Sequence, residues 1–446
     1  MKKILIGLLI LLLAGTGILA KYLIDRATIF TGFAAKNVAS GIFVAGRTQH
    51  SIEALDINFF PVNFAETSVD KKNKIVNSNF FGYGKQKAVY REGLGTTLIG
   101  SYDLEQVKKQ KCPEALPLPY QPEVYWPTGD KDRDTILPFV DLKALKKAID
   151  TALGEAHTRA VIVAYDTLVK WEGYAEGFDA KTPILGWSMT KSITSAMVGV
   201  LVKQGKIKLN EAAPIKEWQN DKRKNIKVDN LLHMTSGLKW VEDYGDISSA
   251  TIMLYDSAAI AQYAIGAPYE FPPDSVWYYS SGTSNILQAI IRRQFNDIHD
   301  YWAFPQKQIF HKIGMNHTII ETDATGIFVG SSYTYAPARD WARFGLLYLQ
   351  NGLWSGDTIL DPSWVKYTQK EAPKSGGIYG AQFWLNKSGK KLPSCPKDIY
   401  YADGYQGQRV YIIPSKHLVI VRFGISKHGE FNYDRFVSSI LAAFKE

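Results

Sequence analysis

The chain has 446 residues, with 52 Lys+Arg against 43 Asp+Glu, 46% hydrophobic residues and 2 cysteines. That balance excludes a disordered, collagenous or coiled-coil protein, and two cysteines exclude both a disulfide-scaffolded mini-protein and a four-cysteine zinc site. The net charge of +9 sits in scattered clusters such as Lys108, Lys109 and Lys111, which read as solvated faces or as attraction to an anionic envelope. No nucleic-acid motif accompanies them.

Lys2 and Lys3 precede an uncharged apolar run from Ile4 to Ala20, ended by Lys21. As a helix these residues span about 26 Å, a little short of a hydrocarbon core of ~30 Å, and Tyr22, Leu23 and Ile24 extend them. The leading lysines stay cytoplasmic, so the rest of the chain is expected in the periplasm or cell envelope. A cleaved signal peptide and an uncleaved inner-membrane anchor over residues 4–24 compete. The absence of a good small-x-small site favours the anchor. The expected organisation is 1–26 signal or anchor, 27–140 an N-terminal module with a proline-rich connector, and 141–446 the main domain.

Residues 27–120 carry short apolar runs (Gly41–Ala45, Thr97–Ile99) broken by Gly, Asn and Lys. Residues 113–139 hold Pro113, Pro117, Pro119, Pro122, Pro127 and Pro138, the mark of an extended connector. Within it, Asp130–Asp134 resembles the start of a calcium loop. Thr135 replaces the required glycine and Asp141 the closing glutamate, so a polar connector is the better reading. Cys112 and Cys395 each precede a proline; an exported chain could bridge them or keep two separate thiols.

Asp141–Ala156 reads as a helix, with Leu142, Leu145, Ile149 and Leu153 at helical spacing and Asp141 as its N-cap. Ala160–Tyr165 with Lys170–Tyr174, and Arg409–Ile413 with Leu418–Phe423, read as two hairpins, and Tyr433–Phe444 as a closing helix. This order predicts an α+β fold. The hairpins pair into one antiparallel sheet flanked by the N- and C-terminal helices, and an inserted, mostly helical lobe leaves a cleft against the sheet.

Ser-x-x-Lys puts a hydroxyl and an ammonium one helical turn apart, and a desolvated lysine there can take the serine's proton. The tetrapeptide starts at Ser68, Ser188, Ser236, Ser363, Ser388 and Ser394. Ser188 alone follows a glycine-aromatic turn, Gly186-Trp187, and opens an apolar helix, with Met189, Ile193, Met197, Val200 and Leu201 before Gly205. Lys191 is thereby drawn inward, where a lysine is rare without a task. An N-cap serine beside a snorkelling lysine is the competing reading of the tetrapeptide alone.

Four ordered segments resemble the serine β-lactamases and penicillin-recognising enzymes, most closely the class C-like branch with esterases and 6-aminohexanoate-dimer hydrolases. They are Trp187-Ser188-Met189-Thr190-Lys191-Ser192; Leu231–Leu238, similar to Leu-Leu-x-x-Thr-Ser-Gly-Leu; Pro272–Gly282, carrying Tyr279-Ser280-Ser281 where the family has Tyr-x-Asn/Ser; and Gly404-Tyr405-Gln406-Gly407-Gln408 before Ile413-Pro414. The resemblance covers about Asp141 to Glu446 and implies a β-lactamase/transpeptidase-like fold with catalytic Ser188, Lys191 and Tyr279. Ser281, Gly404, Tyr405 and Gln408 would then bind substrate. A nearby ammonium would favour the Tyr279 phenolate, leaving the base open between Lys191 and Tyr279. Ser281 would donate to a substrate carbonyl or contact Lys191, and a backbone N–H near Gln408 would be the second oxyanion donor.

One departure concerns substrate. Tyr401-Ala402-Asp403-Gly404 lacks the Lys or His of the family's third motif, the cation that holds a β-lactam carboxylate. The expected function is an exported serine hydrolase acting on a small ester or amide through an acyl-enzyme, without cofactor or metal. The alternatives are a β-lactamase or D-Ala-D-Ala carboxypeptidase, and a non-catalytic envelope binding protein.

Overall fold

The computed structural model describes residues 2–133, 135–155 and 157–445. Its first element is one uninterrupted helix, α1 (Lys2–Phe43). The outer half is exposed from Ile4 to Tyr22, while Ala27, Phe30, Ala34, Ala35, Val38 and Ala39 are buried in the protein. The boundary expected after residue 26 therefore falls inside a helix. The inner half showed no helical stripe in the sequence because it is enclosed on nearly every side. The polar residues that broke its apolar pattern are buried and satisfied. Lys36 pairs with Glu321, and Ser40 Oγ donates to Glu321 Oε1 at 2.9 Å. At Gly32 a Cβ would come within 1.9 Å of the Tyr255 carbonyl oxygen, so only glycine lets the helix lie against that backbone.

Strands β1 (Glu66–Asp70), β2 (Ile75–Phe80), β3 (Tyr83–Arg91) and β4 (Gly95–Leu98) form a four-stranded antiparallel sheet in chain order, packed on α1. The module is not a separate lobe. Arg91 is buried and donates to Thr322 O at 2.7 Å and Asp323 O at 3.0 Å, and one hydrophobic core joins α1 to the later chain. The proline-rich connector is pinned rather than loose: Arg343 lies 4.4 Å from the buried Trp126 ring and pairs with Asp130, while Arg339 pairs with Asp132. Asp134 lies outside the described residues. Cys112 and Cys395 are free and buried in different cores, the second of the two readings the sequence allowed.

Helix α2 (Leu142–Leu153) is capped by Asp141, whose carboxylate accepts from the Lys143 and Ala144 amides. The expected end of this helix at Ala156 lies outside the described residues. Strands β5 (Thr158–Tyr165) and β6 (Leu168–Tyr174) follow. The middle lobe contributes helices α3 (Thr190–Lys203), α4 (Ser281–Arg292) and α5 (Ala338–Leu349). Strands β7 (Trp384–Leu385), β8 (Tyr400–Gly404), β9 (Gln408–Ile413) and β10 (Leu418–Gly424) and helix α6 (Tyr433–Leu441) complete the chain. The main sheet runs β7-β8-β9-β10-β5-β6, antiparallel throughout.

Both expected hairpins are present and join through β10 and β5, with Ile420 opposite Val163. Alternation then sorts the side chains between two faces. Val161, Val163, Ile420 and Tyr401 face α2 and α6, whereas Ile162, Val419, Val410 and Ala402 face α5 and the helical lobe. The candidate site lies on this second side, where the end of β8 meets the turn before α3.

Candidate active site

Ser188 sits in a single 3-10 turn, Trp187–Met189, immediately before α3. The turn is held from behind by the Gly186 amide, which donates to Thr334 O at 2.8 Å. Trp187 has φ +47°, a conformation that costs a bulky residue about 1–3 kcal/mol and persists only where the surroundings impose it. Here the indole is wedged between Phe33 of α1, stacked at 6.0 Å, and the Tyr405 ring, edge-on at 5.7 Å. Gly404 closes the opposite wall. A Cβ there would lie 2.2 Å from the Gly186 carbonyl oxygen, so the missing side chain lets β8 reach the serine turn.

Lys191 is buried one turn along. Its Nζ donates to Ser188 Oγ at 2.8 Å, Ser281 Oγ at 3.0 Å and Ser331 O at 3.1 Å. Burial pushes its pKa down to about 8, against the upward pull of Glu242 and Asp403. Tyr279 lies over the ammonium, with Nζ 4.8 Å from its ring centroid, and is fixed by Tyr379 and Trp384 at 5.8 and 5.4 Å. The expectation of a phenolate is reversed. Burial, then Tyr379 and Glu242, raise the Tyr279 pKa well above its ordinary value, and the hydrogen bond with Ser188 pulls the other way without winning. The amine is thus the group that loses its proton near neutrality, while the phenol keeps its own.

Ser281 opens α4 and reaches the same cluster. Its Oγ accepts from Lys191 but donates to Glu242 Oε1 at 2.5 Å, and its amide donates to Glu242 Oε2 at 2.8 Å. Glu242 also accepts from Trp240 Nε1 at 2.6 Å and Tyr244 OH at 2.7 Å. Sequence reasoning missed Glu242, Tyr244 and Ser331. They lie in loop segments without periodicity, and only the fold brings them to the serine.

Leu231–Leu238 braces the site from outside. Thr235 Oγ1 and Asn230 Nδ2 donate to Asp274 Oδ1 at 2.7 and 2.9 Å, and the Tyr278 amide donates to Met234 O at 3.0 Å, which fixes the loop carrying Tyr279.

One expectation around the third motif changes. The Gln408 side chain is buried and committed to the backbone. It donates to Gly424 O at 2.6 Å and Tyr405 O at 3.0 Å and accepts from the Gly424 amide at 3.1 Å, tying the β8–β9 turn to β10. Asp403 points to the α2/α6 face, as strand alternation requires, and pairs with Arg409 at 2.9 Å; the guanidinium in turn lies 3.5 Å from the Tyr433 ring centroid. Of this stretch, Gly404 and the half-exposed Tyr405 remain on the site side.

A nucleophilic hydroxyl, an amine poised near pH 8 and a neutral phenol form a set that can pass a proton from an attacking serine to a leaving group. Among the described residues, no group of three or more His, Cys, Asp and Glu is placed to hold a metal.

Residues 146–437 match the family model described as Beta-lactamase. A 6-aminohexanoate-dimer hydrolase of Paenarthrobacter ureafaciens is 25% identical over 315 residues, covering 64% of this chain and 78% of the relative. A penicillin-binding protein homologue of Caulobacter crescentus is 15% identical, with a TM-score of 0.54 over 70% of this chain and 100% of its own. A family VIII carboxylesterase is 16% identical, with a TM-score of 0.53 over 71% of this chain and 99% of its own. At these identities the solved structures speak to the fold alone.

Proposed function

The chain belongs to the β-lactamase family of serine hydrolases, and from that footing we propose that it cleaves a small uncharged ester or amide through an acyl-enzyme on Ser188. The observation that carries the reading is the 2.8 Å bond between Ser188 Oγ and a buried lysine whose pKa is lowered to about 8. Lys191 takes the serine proton, Tyr279, held neutral, hands its own proton to the leaving group, and the Lys191 ammonium returns a proton to the Tyr279 oxygen. The Ser188 amide and a backbone N–H of the Gly404–Gln408 turn bind the oxyanion. The relative named a 6-aminohexanoate-dimer hydrolase favours a linear amide.

A β-lactamase or carboxypeptidase is the weaker reading. Arg409, the cation next to the third motif, is engaged by Asp403 on the far face. The carboxylate beside Lys191, Glu242, balances the ammonium rather than leaving positive charge for an anionic substrate. The intact serine, lysine and tyrosine argue against a non-catalytic binding protein. Export rests on Lys2, Lys3 and the exposed apolar half of α1, a helix long and apolar enough to cross a membrane; we take residues 4–24 as an uncleaved anchor, with the hydrolase machinery carried by residues 141–446 and packed on the N-terminal module. The test is labelling with a fluorophosphonate followed by peptide mapping, with a panel of short esters, linear amides and nitrocefin. Label on Ser188 and turnover of neutral substrates are expected. Label elsewhere, or no label with no turnover, overturns the reading.

A further inference from the structure

Where α1 enters the protein, its side chains wall a cavity of about 440 Å³. Ile29, Phe30 and Phe33 form one side, the Phe59–Val62 loop another, and Asp243–Ile247 the third. The inner end is closed by Tyr244 and Tyr405, stacked at 5.6 Å. These rings belong to the candidate active site as well. The Tyr244 hydroxyl is 3.2 Å from Ser281 Oγ, and Tyr405 lies edge-on to Trp187, the residue before Ser188. The cavity therefore ends at two rings that each touch a residue of the candidate site, and half of its wall comes from residues that precede the family match at 146–437.

The outer end is equally specific. Tyr22 and Arg26 line it, about half a turn and about one and two-thirds turns beyond the apolar run that ends near Ala20. The Arg26 guanidinium lies 3.7 Å from the Tyr22 ring centroid and pairs with Asp246 at 2.7 Å. An aromatic ring and an arginine at the end of an apolar helix are the residues that sit at headgroup level. Phe60 and Ile247, exposed at 56% and 44%, extend apolar surface around the mouth. A chamber lined on its inner side by Phe30, Phe33, Phe59 and Val62, with Arg26 and Asp246 at its mouth and two rings adjoining the candidate site at its inner end, has the form of a site for hydrocarbon.

We propose that this cavity binds the hydrocarbon chain of an amphiphilic ester or amide, which enters beside α1 at the membrane surface and presents its carbonyl to Ser188. The proposal rests on Ser188 as the acylated residue and adds the substrate class. The polar rim of Arg26 and Asp246 stays at the interface, and the chain is buried against Phe30, Phe33 and Phe59. The same chain could be drawn from the bilayer or from dissolved monomer; comparing the full-length protein in nanodiscs with the protein in lipid-free amphipol separates the two sources.

Two measurements test it. The first does not need turnover. Full-length Ser188→Ala in nanodiscs is irradiated with a dodecanoyl ester carrying a diazirine at the chain end, and adducts are mapped. Adducts in residues 22–33, 59–62 or 243–247 are expected; adducts confined to residues 4–19 would mean that the probe only dissolves in lipid, and overturn the proposal. The second compares acetyl and octanoyl 4-nitrophenyl esters. Burial of six more methylenes should raise kcat/KM at least about a hundredfold. Ile247→Trp, at a half-exposed rim position that places no burden on folding, should cut that ratio at least about tenfold by narrowing the mouth. A flat chain-length series, or a ratio unmoved by Ile247→Trp, rejects the cavity while leaving the acyl-enzyme intact. Absence of any ester turnover or Ser188 labelling rejects the acyl-enzyme instead, and the cross-linking result still decides the cavity.

Discussion

Phe33, on the helix that begins as the apolar N-terminal segment, stacks on Trp187, the residue directly before Ser188, with centroids 6.0 Å apart and planes 21° from parallel. A residue outside the family match thus supports the strained turn that presents the nucleophile. Phe33→Leu keeps apolar volume but loses the flat face. It should lower kcat at least about tenfold with a stability loss of under about 1.5 kcal/mol, read as turnover against Tm. Wild-type kcat in Phe33→Leu would mean that Tyr405 and Phe33 are not what hold Trp187.

Ser188→Ala should abolish hydrolysis and covalent labelling with Tm unchanged. Retained turnover in Ser188→Ala, with loss in Ser236→Ala, would move the nucleophile to a residue that is 4% exposed and whose hydroxyl accepts from the Leu238 amide at 3.4 Å.

Lys191 must lose its proton to act as base, and burial has lowered its pKa to about 8. Activity should therefore rise with pH and level off above about 8, while Tyr279, whose pKa lies well above its ordinary value, stays protonated across that range. Lys191→Ala, Tyr279→Phe and the double variant should show similar losses, because the two groups handle one proton. A double-variant loss equal to the product of the single losses would separate them.

Glu242 raises the Lys191 pKa and receives the Ser281 and Tyr244 hydroxyls. Glu242→Gln removes the charge and keeps the shape. The acid limb of the pH–kcat profile should move to lower pH, since the ammonium loses a stabilising anion. An unmoved limb would show that the limb does not report Lys191.

Neutral esters should outperform nitrocefin in kcat/KM, because Arg409 is committed to Asp403 and stacked on Tyr433. Asp403→Lys would put a cation into the stretch where the family's third motif carries one. With Asp403 on the α2/α6 face, that change places a lysine against Arg409 and should lower Tm without improving nitrocefin turnover.

The sheet and its two covering helices were legible because each is written locally: a short apolar run in Thr158–Tyr165 and helical spacing in Leu142–Leu153. The meeting of Ser188 with Lys191 was legible from a turn and an apolar helix, and that of Tyr279 with them only through the family resemblance. The face that Asp403 takes was not legible, because it depends on register, and the register with Arg409 is set by tertiary pairing. Gln408 was misjudged because its partners lie on β10, sixteen residues away. Glu242 and Phe33 were invisible for a related reason. One sits in an aperiodic loop, and the other is in a helix buried on nearly all sides, whose only external sign was a run of small residues around Gly32.

The continuity of α1 has a mechanical consequence. Most anchored enzymes hang from a pliable stalk and sweep a volume around their attachment point. Here no hinge separates the apolar half of the helix from the half embedded in the core, where Lys36 and Glu321 lock it. With residues 4–24 in the bilayer, as proposed, the helix rises only about 14 Å between Ile24 and Phe33. An anchor of the kind proposed would then hold Ser188 at one height and one orientation above the lipid, free to diffuse laterally but unable to reach targets deeper in the envelope.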